Sequence, residues 1–127
     1  MKRRQLIKSL VGASALGVSL LAEAQEAAPI KILCGFAPGG LTDIVARLFA
    51  DKLRTELNIS VIVENKAGAG GRLAAQALKA AAPDGRTYMI APNSMPIFQE
   101  ILYPRNVSGY DMLVDWAPVA TLTTYPF

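Results

Sequence analysis

Gly35-Phe36-Ala37-Pro38-Gly39-Gly40-Leu41-Thr42-Asp43 is the stretch on which the rest of the chain is organised. An apolar run, Ile30 to Phe36, leads into it, and a helix-periodic run from Thr42 to Leu57 leads out. A strand, a glycine turn and a helix start in that order form a concavity of backbone N–H groups, and the helix dipole favours negative charge there. Gly39 and Gly40 lack Cβ atoms, so they can take positive φ and let a ligand approach the main chain. Pro38 fixes φ before them and donates no hydrogen bond. The alternative is a plain βα turn that binds nothing.

Working outward, strand and helix patterns alternate. Ile30–Phe36 is apolar nearly throughout, as in a strand buried on both faces. In the first helix Ile44, Val45, Leu48, Phe49, Leu53 and Leu57 recur at helical spacing, opposite Arg47, Asp51, Arg54 and Glu56. Thr42 is the expected N-cap, Asp43 is well placed against the dipole, and Asn58 can close the helix. A second strand, Ile59–Glu64, runs into another glycine turn, Asn65-Lys66-Ala67-Gly68-Ala69-Gly70-Gly71, and a helix over Arg72–Ala82. This second turn also opens a helix, and its two readings are a further anion site or a close helix–sheet contact. Pro83-Asp84-Gly85 is a turn and Thr87–Ala91 the third strand. A short helix is expected over Met95–Leu102, irregular chain over Ser108–Asp115 and a further strand over Ala117–Leu122. The βαβαβ order predicts an α/β fold with a parallel sheet and right-handed crossovers. The loop Pro92-Asn93-Ser94-Met95 then lies at the same sheet edge as Phe36–Gly40, where open α/β sheets bind ligands.

Composition narrows the function. Of 127 residues, 52% are hydrophobic and 18% charged, which excludes disorder. The net charge of +3 belongs to residues 1–24, where Lys2, Arg3, Arg4 and Lys8 face only Glu23, and the remainder is neutral. No basic patch is left to argue for nucleic acid. One cysteine, Cys34, permits no internal disulfide and reads as a buried strand thiol. With no histidine and one cysteine, neither a metal cluster nor imidazole catalysis is expected, and no cofactor is implied.

The N-terminus has the plan of an export signal: a cationic segment Met1–Lys8, an apolar segment Leu10–Leu21 and a small-x-small site at Ala22-Glu23-Ala24. The apolar segment is shorter than the roughly 20 residues a membrane span needs. Arg3-Arg4-Gln5-Leu6-Ile7-Lys8 resembles a twin-arginine signal, with Lys2 where Ser or Thr is usual, and a Sec route is the alternative. Two regions are therefore expected: a cleavable signal over residues 1–24, and a mature region over 25–127 working outside the cytoplasm.

Several motifs in one order carry a family resemblance: Phe36-Ala37-Pro38-Gly39-Gly40 with Thr42-Asp43, Val63-Glu64-Asn65-Lys66-Ala67-Gly68-Ala69-Gly70-Gly71, Ala82-Pro83-Asp84-Gly85, Leu102-Tyr103-Pro104 and Asp115-Trp116-Ala117-Pro118-Val119. Together they resemble the Bug receptors, the periplasmic solute-binding proteins of tripartite tricarboxylate transporters. Arg105–Leu113 departs from the family's usual Leu-Pro-Tyr-Asp-like run. The resemblance implies a type II periplasmic-binding fold, of which this chain holds part of the first lobe, and a non-enzymatic receptor that clamps a small carboxylated solute between two lobes. It implies membrane transporter subunits as partners. It also implies that the first loop supplies backbone amides, with ordered waters, to a ligand carboxylate. That role falls on Phe36, Ala37, Gly39, Gly40, Thr42 and Asp43, with Asn93 and Ser94 next. Asp43's own carboxylate would repel the ligand, so it is expected to order the turn.

Other classes fit less well. Neither glycine turn has the G-x-G-x-x-G spacing of a dinucleotide enzyme, no Gly-Lys-Ser/Thr ends a P-loop, and no G-x-S-x-G elbow or base suits a hydrolase. The alternative to a receptor is a truncated, non-binding half-domain with a structural or interaction role.

Overall fold

The computed structural model describes residues 28–111 and 113–124; the export signal expected over residues 1–24 lies outside them. Strand β1 (Ile30–Cys34) is central, with β2 (Val61–Asn65) on one side and β3 (Thr87–Ile90) on the other, both parallel to it. The registers place Cys34 beside Asn65 and Ile90, so all three strands end at one edge. Ile30, Ile32, Leu33 and Cys34 are buried, as a strand covered on both faces requires. The first three expected strands are present, with ends displaced: β1 stops two residues early, β2 starts two late and runs one further, and β3 loses Ala91.

Helix α1 (Leu41–Leu57) joins β1 to β2, and α2 (Arg72–Lys79, shorter than the expected Arg72–Ala82) joins β2 to β3. The chain moves from β1 in one direction and returns across it, so right-handed crossovers put the two helices on opposite faces. The cores follow that division. Ala46 and Ala50 of α1 pack with Ile30, Ile32 and Val61, joined by Tyr88 and Ile90. On the other face Ala75 of α2 packs with Met95 and Tyr110, joined by Phe36, Met89 and Ala91. The alternation along β3 is the period of two that a strand between two layers shows.

The rotation of α1 corrects the expectation. Its buried residues are Asp43, Ala46 and Ala50, with Leu53 partly buried, while Ile44 is 49% and Leu48 63% exposed. Two polar attachments explain this. At one end Asp43 is held by donors from the loop and β2, and at the other the Arg54 guanidinium donates to the Val61 carbonyl at 2.9 and 2.6 Å. With both ends fixed, the alanine stripe faces the sheet, and its small side chains allow close approach. Asn58 closes the helix in the left-handed region at φ 51°. Gly40, not Thr42, is the N-cap, and no side chain caps it.

The second glycine turn is a close contact. A Cβ on Gly35 would lie 2.8 Å from the Gly71 Cα, and one on Gly71, at φ +92°, would meet Met95. The turn before β3 is held by Asp84, whose carboxylate accepts the Arg86 N–H at 2.9 Å. Helix α3 (Ser94–Leu102) ends at Tyr103, whose ring lies 4.0 Å under the Arg72 guanidinium. A single turn, α4 (Arg105–Ser108), follows. Residues 109–111 and 113–115 are irregular, as expected, and this part of the chain is tied back to α2. Gln76 donates to the Ser108 carbonyl at 2.8 Å, Lys79 pairs with Asp115 at 2.9 Å, and buried Tyr110 stacks on Trp116. The strand expected over Ala117–Leu122 is not formed: the segment joins no ladder among the described residues, and Val119 is 78% exposed. An apolar run without a neighbouring strand has no partners for its backbone groups.

The contact between the two glycine turns is a sharp test of this packing. Gly35→Ala should destabilise the protein by about 1–3 kcal/mol, because backbone must move to admit the Cβ. Gly85→Ala, at φ +71° in open space, should cost about 1 kcal/mol through backbone conformation alone. Urea unfolding of the two variants measures both, and an undiminished midpoint for Gly35→Ala would contradict the packing.

Candidate functional site

The loop after β1 leaves from the middle of the sheet edge, and the loop after β3 leaves beside it. β1 connects towards β2 on one side, and the β3 loop begins on the other, which is the switch point where open α/β sheets bind ligands. Residues 36–40 and 92–94 therefore share one edge. Phe36 is half-buried against the second core, Ala37, Pro38, Gly39 and Gly40 are exposed, and Thr42 is half-buried in the first turn of α1. Asn93 is exposed and precedes α3, and Ser94 is its half-buried first residue.

A ring of hydrogen bonds fixes the loop. Asp43, 3% exposed, accepts the Gly39 N–H on Oδ2 at 2.9 Å and the Arg47 Nε–H on the same atom at 3.0 Å. Its Oδ1 accepts the Asn65 Nδ2–H at 2.8 Å and lies 3.0 Å from Arg47 Nη2. Asn65 Nδ2 also donates to the Phe36 carbonyl at 3.2 Å, and its Oδ1 accepts Arg47 Nη2–H at 3.1 Å. The Arg47 hydrogen bond, then the Gly39 amide and Asn65, hold the Asp43 carboxyl well below the usual carboxylate range, against the opposing effect of burial. Asp43 thus orders the turn.

The ring also corrects the expected donor set. The Gly39 N–H is committed to Asp43; what Gly39 contributes is its φ of +83°, which reverses the chain. Gly40 has φ −75°, so no positive φ is needed there, and its N–H makes a long 3.4 Å contact with the Ala37 carbonyl. The first helical bond of α1 runs from the Ile44 N–H to the Gly40 carbonyl at 3.0 Å. The N–H groups of Leu41, Thr42 and Asp43 consequently have no acceptor within the helix. Arg47 is neutralised by Asp43, and Lys66 by Glu64 at 2.7 Å. An anion at the Gly39-Gly40 turn would meet backbone amides and the positive end of a 17-residue helix, with Arg47 and Lys66 already paired.

Residues 45–127 match the model of the tripartite tricarboxylate transporter family receptor, TctC. The chain belongs to this family. Among its relatives, the "UPF0065 protein in gbd 5'region" of Cupriavidus necator is 37% identical over 112 residues, covering 88% of this chain and 31% of the relative. BugT of Bordetella pertussis is 31% identical over 121 residues, covering 95% and 37%. A solved structure of MatC from Rhodopseudomonas palustris with bound malate is similar at 41% identity, with a TM-score of 0.47 over 50% of this chain and 22% of that one. The chain spans about a third of the length of these curated TctC-family relatives.

Two members of the ring, Arg47 and Asn65, were not among the site residues expected from sequence. Arg47 is signalled by its i,i+4 spacing from Asp43, whereas Asn65 reaches the loop only through strand pairing.

The ring gives this TctC-family chain an acid dependence of known sign. Because folding lowers the Asp43 pKa from 3.8, its stabilisation is complete above pH 3.8 and is lost as the pH falls through the lower folded value. Asp43→Asn should therefore be less stable than wild type at pH 7, and the gap should narrow below pH 3.8. Denaturant midpoints of the two proteins against pH report this; a gap constant with pH would exclude an ionised, paired Asp43.

Proposed function

We propose that the chain is part of an extracytoplasmic receptor that captures a small carboxylated solute for a tripartite tricarboxylate transporter. In this reading residues 36–43 form one wall of the ligand site, with Asn93 and Ser94 beside it. The observation that carries it is the uncapped start of α1, with its unpaired N–H groups, behind an exposed glycine turn beside which Arg47 and Lys66 are already paired. Such a surface suits one carboxylate head, and membership of the receptor family supplies the context. The amides of Leu41, Thr42 and Asp43 are the direct donors, joined by those of the turn that the ring leaves free.

The second wall, the solute's identity, the membrane subunits and a periplasmic location are part of the proposal, carried by the family. A carboxylate gripped between two lobes draws them together, and the closed form is what the membrane partner distinguishes. The role is capture and release, with no bond made or broken, so the proposal is for a receptor and not an enzyme.

Gly40 provides the test. Its φ of −75° suits any residue, and a Cβ there lies 3.4 Å from the Ala37 carbonyl oxygen, so a larger side chain fits with at most slight adjustment. Gly40→Val in the full chain as its host produces it should change stability by about 1 kcal/mol or less. The branched side chain should at the same time weaken carboxylate affinity by at least about tenfold, by obstructing the amides. Calorimetric titration with malate, succinate and citrate measures this. Equal affinity of Gly40→Val and wild type, or no binding of any carboxylate by wild type, would overturn the proposal.

A further inference from the structure

We infer that Arg47 and Asn65 are positioning residues, which hold the carboxylate-binding loop in its binding shape before any ligand arrives. The inference rests on the carboxylate reading above and goes further, by assigning the loop's order to two side chains that need not touch the ligand.

The geometry begins at the end of β2. Asn65 is its last residue and lies opposite Cys34, and the Lys66 N–H continues the ladder to the Cys34 carbonyl at 2.8 Å. The Asn65 main chain is therefore held by the sheet, and its amide reaches the loop from a fixed base. Both Nδ2 acceptors are close, the Phe36 carbonyl at 3.2 Å and Asp43 Oδ1 at 2.8 Å, while Oδ1 faces a donor, Arg47 Nη2, at 3.1 Å. Only an amide meets all three demands in this orientation. Arg47 grips both oxygens of Asp43, and Asp43 in turn accepts the Gly39 N–H.

Two ends of the ring thus fall on loop backbone, at Phe36 and at Gly39, on either side of Ala37-Pro38. A turn clamped on both flanks keeps its conformation without help from a ligand, and ordering made in advance is not subtracted from affinity at binding. The ring has a second consequence. It neutralises Arg47 within the protein, so a solute carboxylate is directed to the amides and not to a guanidinium.

The experiment compares Asn65→Ala and Asn65→Asp with Arg54→Ala in the full chain. Arg54 fastens the other end of α1 to the Val61 carbonyl, so its removal loosens the same helix away from the loop. Hydrogen exchange of the Gly39 amide without ligand and calorimetric titration with malate, succinate and citrate are the readouts. Asn65→Ala should speed Gly39 exchange and weaken binding about tenfold, the scale of one lost hydrogen bond to a charged group. Arg54→Ala should lower the melting temperature while leaving both unchanged. Asn65→Asp keeps the side-chain size but sets a second carboxylate against Asp43; its loop should be released at neutral pH and recover on acidification, as one carboxyl of the pair protonates. If the Asn65 variants leave Gly39 exchange at the wild-type rate, the positioning role is overturned. If wild type binds no carboxylate, the ligand reading fails by itself, and Gly39 exchange still decides whether Asn65 orders the loop.

Discussion

A buried carboxylate constrains this structure more than any apolar contact does. Asp43 sits in the first turn of α1, almost sealed from solvent, and a charge in that position is costly unless it is fully paired. Its donors come from three places: the loop at Gly39, the helix at Arg47 and the end of β2 at Asn65. To keep all three, the loop must turn back over the helix start, β2 must end level with β1, and α1 must face the sheet with the Asp43 side. Failure of any one condition leaves a charge buried and incompletely paired. The polar ring thus selects among packings that hydrophobic burial alone would leave close in free energy.

The rotation of α1 shows this selection. Burying Ile44 and Leu48 would remove more apolar area from water than burying Ala46 and Ala50, and area alone favours that face. The observed helix gives up that burial. It gains a close backbone approach through alanine, a satisfied Asp43 at one end and an Arg54–carbonyl attachment at the other. Hydrophobic periodicity located the helix correctly and misidentified its contact face, because a periodicity count weights leucine above alanine and carries no information on a polar contact to a distant strand.

The same distinction separates what was legible in the sequence from what was not. A doubly covered first strand (expected over Ile30–Phe36, formed over Ile30–Cys34), the alternation of strand and helix, Asn58 as the helix stop and Asp43 as an ordering residue all depend on local pattern, and the structure has them. The direction of the Gly39 N–H, the helix cap at Gly40 and the part played by Asn65 depend on which groups meet in space. No spacing rule joins Asn65 to Phe36, 29 residues apart; the parallel register does. The segment 117–122 went wrong for a related reason: its residues have strand character, but a strand also needs a neighbour, and the sheet among the described residues ends at β3.

The ring also bears on what kind of recognition this edge can provide. Amides fixed at a helix start read a carboxylate by its charge and its two oxygens, features common to every di- or tricarboxylate. They do not distinguish the hydroxyl of malate from the plain chain of succinate, and the half-exposed Arg47 side chain is already engaged with Asp43 and Asn65. In the proposed receptor this wall would anchor the class of solute, and discrimination within the class would fall to groups facing it across the cleft. Relatives of this family could then vary in solute while keeping the same loop, because an anchor that reads only the shared head group does not change when the rest of the ligand does. An arginine at the same place would bind a carboxylate too, but through a side chain that must be ordered at each encounter. Backbone held by Asp43, Asn65 and Arg47 is ordered beforehand, which for a receptor that must bind, close and release is the less demanding arrangement.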